Sequence, residues 1–193
     1  MSLTPSTMME LGTSAPDFAL PDVCTGQTVS LDNFTEKKAV LVVFMCAHCP
    51  FVKLVESELA AIGREFQERG LGMVALSAND ADHYPDDAPA FLQQQAERLG
   101  FTFPYLYDET QETAKAYRAA CTPDIYLFNA DRKLVYRGQI DDARPGNDKP
   151  VTGKNLRNAI ESVLAGQPVT EDQLPATGCN IKWKPGKEPD YFS

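Results

Sequence analysis

With 193 residues, 43% of them hydrophobic and 23% charged, the chain has the size of one sizeable domain and the composition of an ordinary globular protein. Its formal net charge of -9 would repel nucleic acid and anionic membrane, so neither is expected as a partner. The start, MSLTPSTMMELG, has neither the basic beginning nor the apolar core of a secretory leader, and no later run approaches the ~18 apolar residues of a membrane span, so a cytoplasmic location is expected.

Residues 11–31 hold short apolar pieces split by PDVCTGQ, whose Thr-Gly pair predicts a hairpin. AVLVVF, residues 39–44, is an unbroken β-branched run that reads as a strand buried on both faces. From Phe51 to Arg69 the apolar residues follow helical spacing, and Gly70 closes the helix. LGMVALS, residues 71–77, is a second buried strand, parallel to the first across a right-handed crossover. The loop NDADHYPDD follows, then a helix from Pro89 to Leu99 closed by Gly100, a short strand PYLYD and a helix from Thr110 to Ala120. Beyond Thr122-Pro123 come a hairpin, DIYLFNA and KLVYRGQI turning at Asp131, and a helix from Lys154 to Ala165. The layout predicts an α/β domain over residues 1–166, a central mixed sheet flanked by helices. Residues 167–193, punctuated by four prolines, are expected to be an extended tail on the same domain, anchored by Trp183, Tyr191 and Phe192.

The segment MCAHCPF, residues 45–51, carries the chemistry. In a reducing compartment a CxxC is redox-active or metal-binding, and five cysteines at uneven spacing do not form a structural disulfide framework. At a strand-to-helix junction, the free N–H groups and positive end of the helix stabilise a thiolate. Cys46 is expected to be that exposed, attacking thiol, with Cys49 one turn deeper to resolve a mixed disulfide and His48 favouring the Cys46 anion. Zinc needs about four ligands, and Cys121, Cys179, His48 and His83 are scattered candidates to complete a set, so no metal and no other cofactor is expected.

AVLVVFMCAHCPF followed by a helix and strand, and much later ACTPDIYLFNADRKLVYRG, resembles the thioredoxin superfamily. The likeness is closest to the redoxin branch of alkyl hydroperoxide reductases and thiol-specific antioxidants, and covers about residues 11–166. It implies a thioredoxin-like fold with a cis Pro123 beside the cysteines, and a Thr122 backbone free to pair with a substrate strand. Met45 and Ala47-His48 depart from the usual Trp-Cys-Gly-Pro-Cys, and C-x-H-C is similar to DsbA-like oxidants. The strand before the motif lacks the buried aspartate of thioredoxins, which leaves Glu56, Asp124 or water to handle protons. Cys121 is read either as a third exchanging thiol or as a small buried residue; Cys179 is expected to pack, the alternative being that it meets the site if the tail folds over it, and Cys24 to be incidental.

The expected function is thiol–disulfide exchange through Cys46 and Cys49, with protein or small-molecule thiols and disulfides as partners and an unidentified thiol reductant. A peroxidase would need P-x-x-x-[ST]-x-x-C, but the two positions hold Val43 and Ala39 before Cys46, and Cys46 and Val42 before Cys49. A third reading is a copper or zinc carrier using Cys46, Cys49 and another soft ligand.

Overall fold

The computed structural model describes residues 3–192. In chain order the strands are β1 (Leu3–Pro5), β2 (Ala19–Pro21), β3 (Thr28–Ser30), β4 (Ala39–Phe44), β5 (Leu71–Ser77), β6 (Tyr105–Tyr107), β7 (Cys121–Thr122), β8 (Asp124–Asn129), β9 (Leu134–Tyr136) and β10 (Thr177–Asn180). The helices are α1 (Pro50–Phe66), α2 (Pro89–Leu99), α3 (Glu112–Ala116) and α4 (Lys154–Leu164).

Every residue of β4 and β5 is buried, which is why both strands are continuous apolar runs rather than alternating ones. They pair in parallel, Ala39 opposite Leu71 and Phe44 opposite Leu76, at the centre of a sheet ordered β6-β5-β4-β8-β9. Alternation along β4 divides the core between the two faces. Leu41 and Val43 join Leu59 and Ile62 of α1, Leu92 of α2 and Ile160 of α4, whereas Val40, Val42 and Phe44 join Tyr117, Tyr126 and Trp183 on the other side. β2 and β3 form the predicted hairpin.

Local chemistry trims two predicted helices. α1 gives way to a 3-10 turn at Gln67–Arg69, and Gly70 then takes the left-handed conformation (φ 104°) that an L side chain resists. The stretch predicted as a helix from Thr110 to Ala120 is helical only over Glu112–Ala116, because Gln111 and Arg118 both have positive φ. The Asp108 carboxylate accepts the Ala114 N–H at 2.8 Å.

The tail does more than cover the surface. β10 lies between β1 and β7, antiparallel to both, in a second sheet ordered β1-β10-β7. Cys179, Ile181 and Trp183 are buried, and Tyr191 is half-buried. Phe192 does not anchor the tail; it is 40% exposed. Among the described residues, no helix is long and apolar enough to cross a membrane.

Candidate active site

β4 delivers the chain to the C-terminal end of the central strands, and the loop from Met45 to Cys49 turns it into α1. Pro50 opens the helix at a position where the missing N–H costs nothing, so Cys49 becomes the residue that caps it. Its carbonyl accepts the Lys53 N–H at 2.9 Å. This corrects the expected placement: Cys49, not Cys46, stands at the front of the helix. Exposure does not separate the two either, at 1% for Cys46 and 0% for Cys49.

Both sulfurs converge on Thr122, which precedes Pro123 through a cis peptide bond. Cys46 Sγ lies 3.6 Å from Thr122 Oγ1, and Cys49 Sγ lies 3.2 Å from the Thr122 carbonyl oxygen. The Thr122 backbone is not free for a substrate, however. Its partner across the second sheet is Cys179, whose Sγ comes within 3.0 Å of Cys49 Sγ. Cys121 is fully buried, its thiol 3.7 Å from the Pro123 carbonyl. Burial, with Asp124 nearby, pushes that thiol well up. Cys24 is exposed.

Asp87 escaped the sequence reading. A 3-10 turn at Pro85–Asp87 buries its carboxylate, which accepts the N–H groups of Ala47 at 2.9 Å and His48 at 3.1 Å and the Asn79 amide at 2.7 Å. The remaining contact is an ion pair with His48 Nδ1. Asp87 thus holds the two residues between the cysteines by backbone and side chain alike. Burial opposes its charge, but His48 and Asn79 more than compensate and keep the carboxyl below its ordinary range. The Asp87 hydrogen bond in turn raises His48.

The pairing changes the electrostatics expected at the cysteines. His48 spends its charge on Asp87 rather than on Cys46. The Cys46 thiol is driven well up, first by its hydrogen bond to Cys49, then by burial and by Asp87. Cys49 is drawn down to about 4 by Cys46 first, and also by Cys179 and Thr122. The 3.2 Å contact with the Thr122 carbonyl requires a protonated Cys49 and argues the other way. Two thiols and the Thr122 side chain outweigh that one carbonyl, and the helix front adds its positive end, so Cys49 carries the shared charge. The order expected from sequence is reversed.

Of the two residues suggested as proton carriers, Glu56 is engaged by other side chains. It accepts the Gln95 amide and the Arg98 guanidinium, each at 2.8 Å, and Gln95 continues to the Cys46 carbonyl at 3.3 Å. Asp124 is fully buried, and burial raises its carboxyl to about 6. Because this folded value lies above the ordinary 3.8, stability linked to Asp124 is complete below about pH 3.8 and is lost as pH rises through about 6. Relative to the wild type, Asp124→Asn should therefore gain roughly 2 kcal/mol between pH 4 and pH 7, read from urea unfolding at both values.

Cys46, His48 and Asp87 bring donor atoms within 4.8 Å of one another. The Asp87 carboxylate is already engaged, serving His48, Asn79 and two backbone N–H groups. Sulfurs 3.0 Å apart at Cys49 and Cys179 are closer than the ~3.8 Å that a tetrahedral zinc with ~2.3 Å bonds would impose. His83 pairs with Asp80 at 2.6 Å. Beside Pro123, an apolar groove lined by Phe51, Leu54, Ile140, Ala176 and Thr177 opens to solvent.

The profile of the AhpC/TSA family matches residues 11–137. The crystal structure of an uncharacterized conserved protein from Geobacillus kaustophilus is 51% identical, with a TM-score of 0.94, covering 96% of this chain and 98% of that one. A putative thiol:disulfide interchange protein DsbE from Chlorobium tepidum, 20% identical, has a TM-score of 0.63 over 80% of this chain and 98% of its own, a likeness of thioredoxin-like fold alone. Thiol-disulfide oxidoreductase ResA of Geobacillus thermodenitrificans (strain NG80-2) is 26% identical over 133 residues, 68% of this chain and 70% of that protein.

Proposed function

Since this chain belongs to the AhpC/TSA family, we propose that it is a thiol–disulfide oxidoreductase working through Cys46 and Cys49. The observation that carries this reading is the convergence of both sulfurs on Thr122 at the mouth of α1. The distant relationship to proteins named thiol–disulfide oxidoreductase supports it.

Cys46 is the entry point, because Cys49 has the tail strand against it. The pair shares one proton: as Cys46 attacks a substrate disulfide, its proton passes to Cys49, and the released substrate sulfur is protonated by water. Cys49 then attacks Cys46, breaking the mixed disulfide and closing Cys46–Cys49, while the second substrate sulfur leaves and takes the proton that Cys49 gives up. Two electrons reach the substrate. Cys46 is 1% exposed, so attack follows local opening of the loop or tail that covers it. We place the activity in the cytoplasm, on protein or small-molecule disulfides, with a thiol reductant returning the pair to dithiol and no further cofactor.

Insulin reduction with dithiothreitol tests the reading. Cys46→Ser should lower turnover at least a hundredfold, and Cys49→Ser should trap a mixed disulfide visible by mass spectrometry. Unchanged turnover in Cys46→Ser would remove it as the nucleophile. Hydrogen peroxide should disappear no faster than with free cysteine; rapid consumption would favour a peroxidase.

A further inference from the structure

We propose that Cys179 is a third redox cysteine, which β10 presents to Cys49 in the position a substrate strand would occupy. The inference rests on the exchange reading of Cys46 and Cys49. Three independent features carry it.

The first is distance. Cys179 Sγ and Cys49 Sγ are 3.0 Å apart, so a shift of about 1 Å would reach the ~2.05 Å of a disulfide. The second is the close approach of the backbones. A Cβ on Gly178 would lie 1.9 Å from the Thr122 carbonyl oxygen and 2.6 Å from its carbon, so only glycine lets β10 come this near and set the next residue against Cys49. The third is the way the following residues are tied down. Ile181 N–H donates to the Ala120 carbonyl at 3.1 Å, and Lys182 N–H donates to Asn79 Oδ1 at 2.8 Å. Asn79 also donates to Asp87, so one side chain braces both the tail and the loop between the cysteines.

The step is an exchange with no net oxidation. Once a substrate has left a Cys46–Cys49 disulfide, the Cys179 thiol loses its proton to solvent and its sulfur attacks Cys49 Sγ. The Cys46–Cys49 bond breaks, a Cys49–Cys179 bond forms, and Cys46 departs as a thiolate that takes up a proton. In the dithiol form, burial and the Cys49 charge keep Cys179 up at about 12. A disulfide at Cys49 abolishes that charge, so the exchange starts only after the pair has been oxidised. Cys46 is then free to meet a second substrate while the first oxidising equivalent sits inside the protein.

Disulfide mapping tests this directly. The full chain carrying Cys24→Ser, which removes the exposed thiol, is equilibrated in glutathione buffers, quenched in acid, alkylated, digested and mapped by mass spectrometry. The parent should contain both Cys46–Cys49 and Cys49–Cys179 linkages. Cys46→Ser should close Cys49–Cys179 alone, and Cys179→Ser should close Cys46–Cys49 alone. Gly178→Val should depress the Cys49–Cys179 linkage at least tenfold and spare Cys46–Cys49. If Cys46→Ser, folded by circular dichroism, keeps Cys49 and Cys179 unlinked in buffers that oxidise the parent's pair, the proposal is overturned. A Cys49–Cys179 linkage without any Cys46–Cys49 would instead refute the exchange reading while supporting the new pairing.

Discussion

Asp87→Ala should destabilise the protein by about 3 kcal/mol and lower insulin turnover at least tenfold. The substitution strands two backbone N–H groups, the Asn79 amide and the His48 ring. Breaking a fully buried ion pair typically costs about 3–5 kcal/mol, and the partial solvation of His48 puts this one at the lower end. The loss should depend on pH with a definite shape. His48 is raised above its ordinary 6.5, so its share of the stability is complete below that value and is lost as pH rises through the folded one. Asp87 is lowered below its ordinary 3.8, so its share is complete above that value and is lost as pH falls through the folded one. The stability gap between wild type and variant should therefore be widest between about pH 4 and pH 6.5 and narrow on either side. Asp87→Asn keeps an acceptor for the loop and should recover most of the stability at pH 8, yet without the pH dependence. Urea unfolding across pH 3–9 measures all three proteins; a gap that does not vary with pH would remove the ion pair from the account.

The second large effect is expected from Trp183→Ala. Trp183 is buried in the apolar cluster with Leu76, Tyr117 and Ile181 and meets Tyr191 edge to face at 6.3 Å between ring centres. Truncating a buried aromatic costs about 3–5 kcal/mol. The indole N–H is buried without a partner among the described residues, which offsets part of what the ring contributes and sets the expected loss near 3 kcal/mol. The local consequence should exceed the global one. With its anchor gone, β10 opens more often, and alkylation of Cys49 and Cys179 under native conditions should accelerate at least tenfold. If unfolding shifts but the alkylation rates stay at wild-type values, Trp183 stabilises the core without holding the tail.

The central architecture was legible because its signals are local. AVLVVF and LGMVALS announce strands buried on both sides, and the helical spacing of Phe51, Val55, Leu59, Ile62 and Phe66 announces α1, although Phe51 is only half-buried and Val52 takes the inner face instead. The CxxC and Thr122-Pro123 stood out as residue types in context. What could not be read depends on contacts between distant segments. Asp87 is one of several acids in a polar loop, and nothing near it in sequence says that it will cap Ala47 and His48. β10 reads TGCN, without the apolar alternation that marks a strand, since its place comes from edges offered by β1 and β7. The reversal between Cys46 and Cys49 has a nearer cause. Pro50 fixes where the helix begins, and a start one residue after Cys49 makes that sulfur, rather than the earlier one, the neighbour of the helix front.

The strand between β1 and β7 belongs to the part of the polypeptide that the ribosome makes after the five-stranded sheet is complete. During synthesis, the sheet and α1 can assemble around MCAHCPF while Thr122 still has no strand alongside. The nascent protein therefore passes through an interval in which Cys46 and Cys49 lack the cover of β10 and are open to thiols and to one another. Whichever linkage forms in that interval is what β10 meets when it arrives, so the redox conditions of translation set the starting state of the finished molecule.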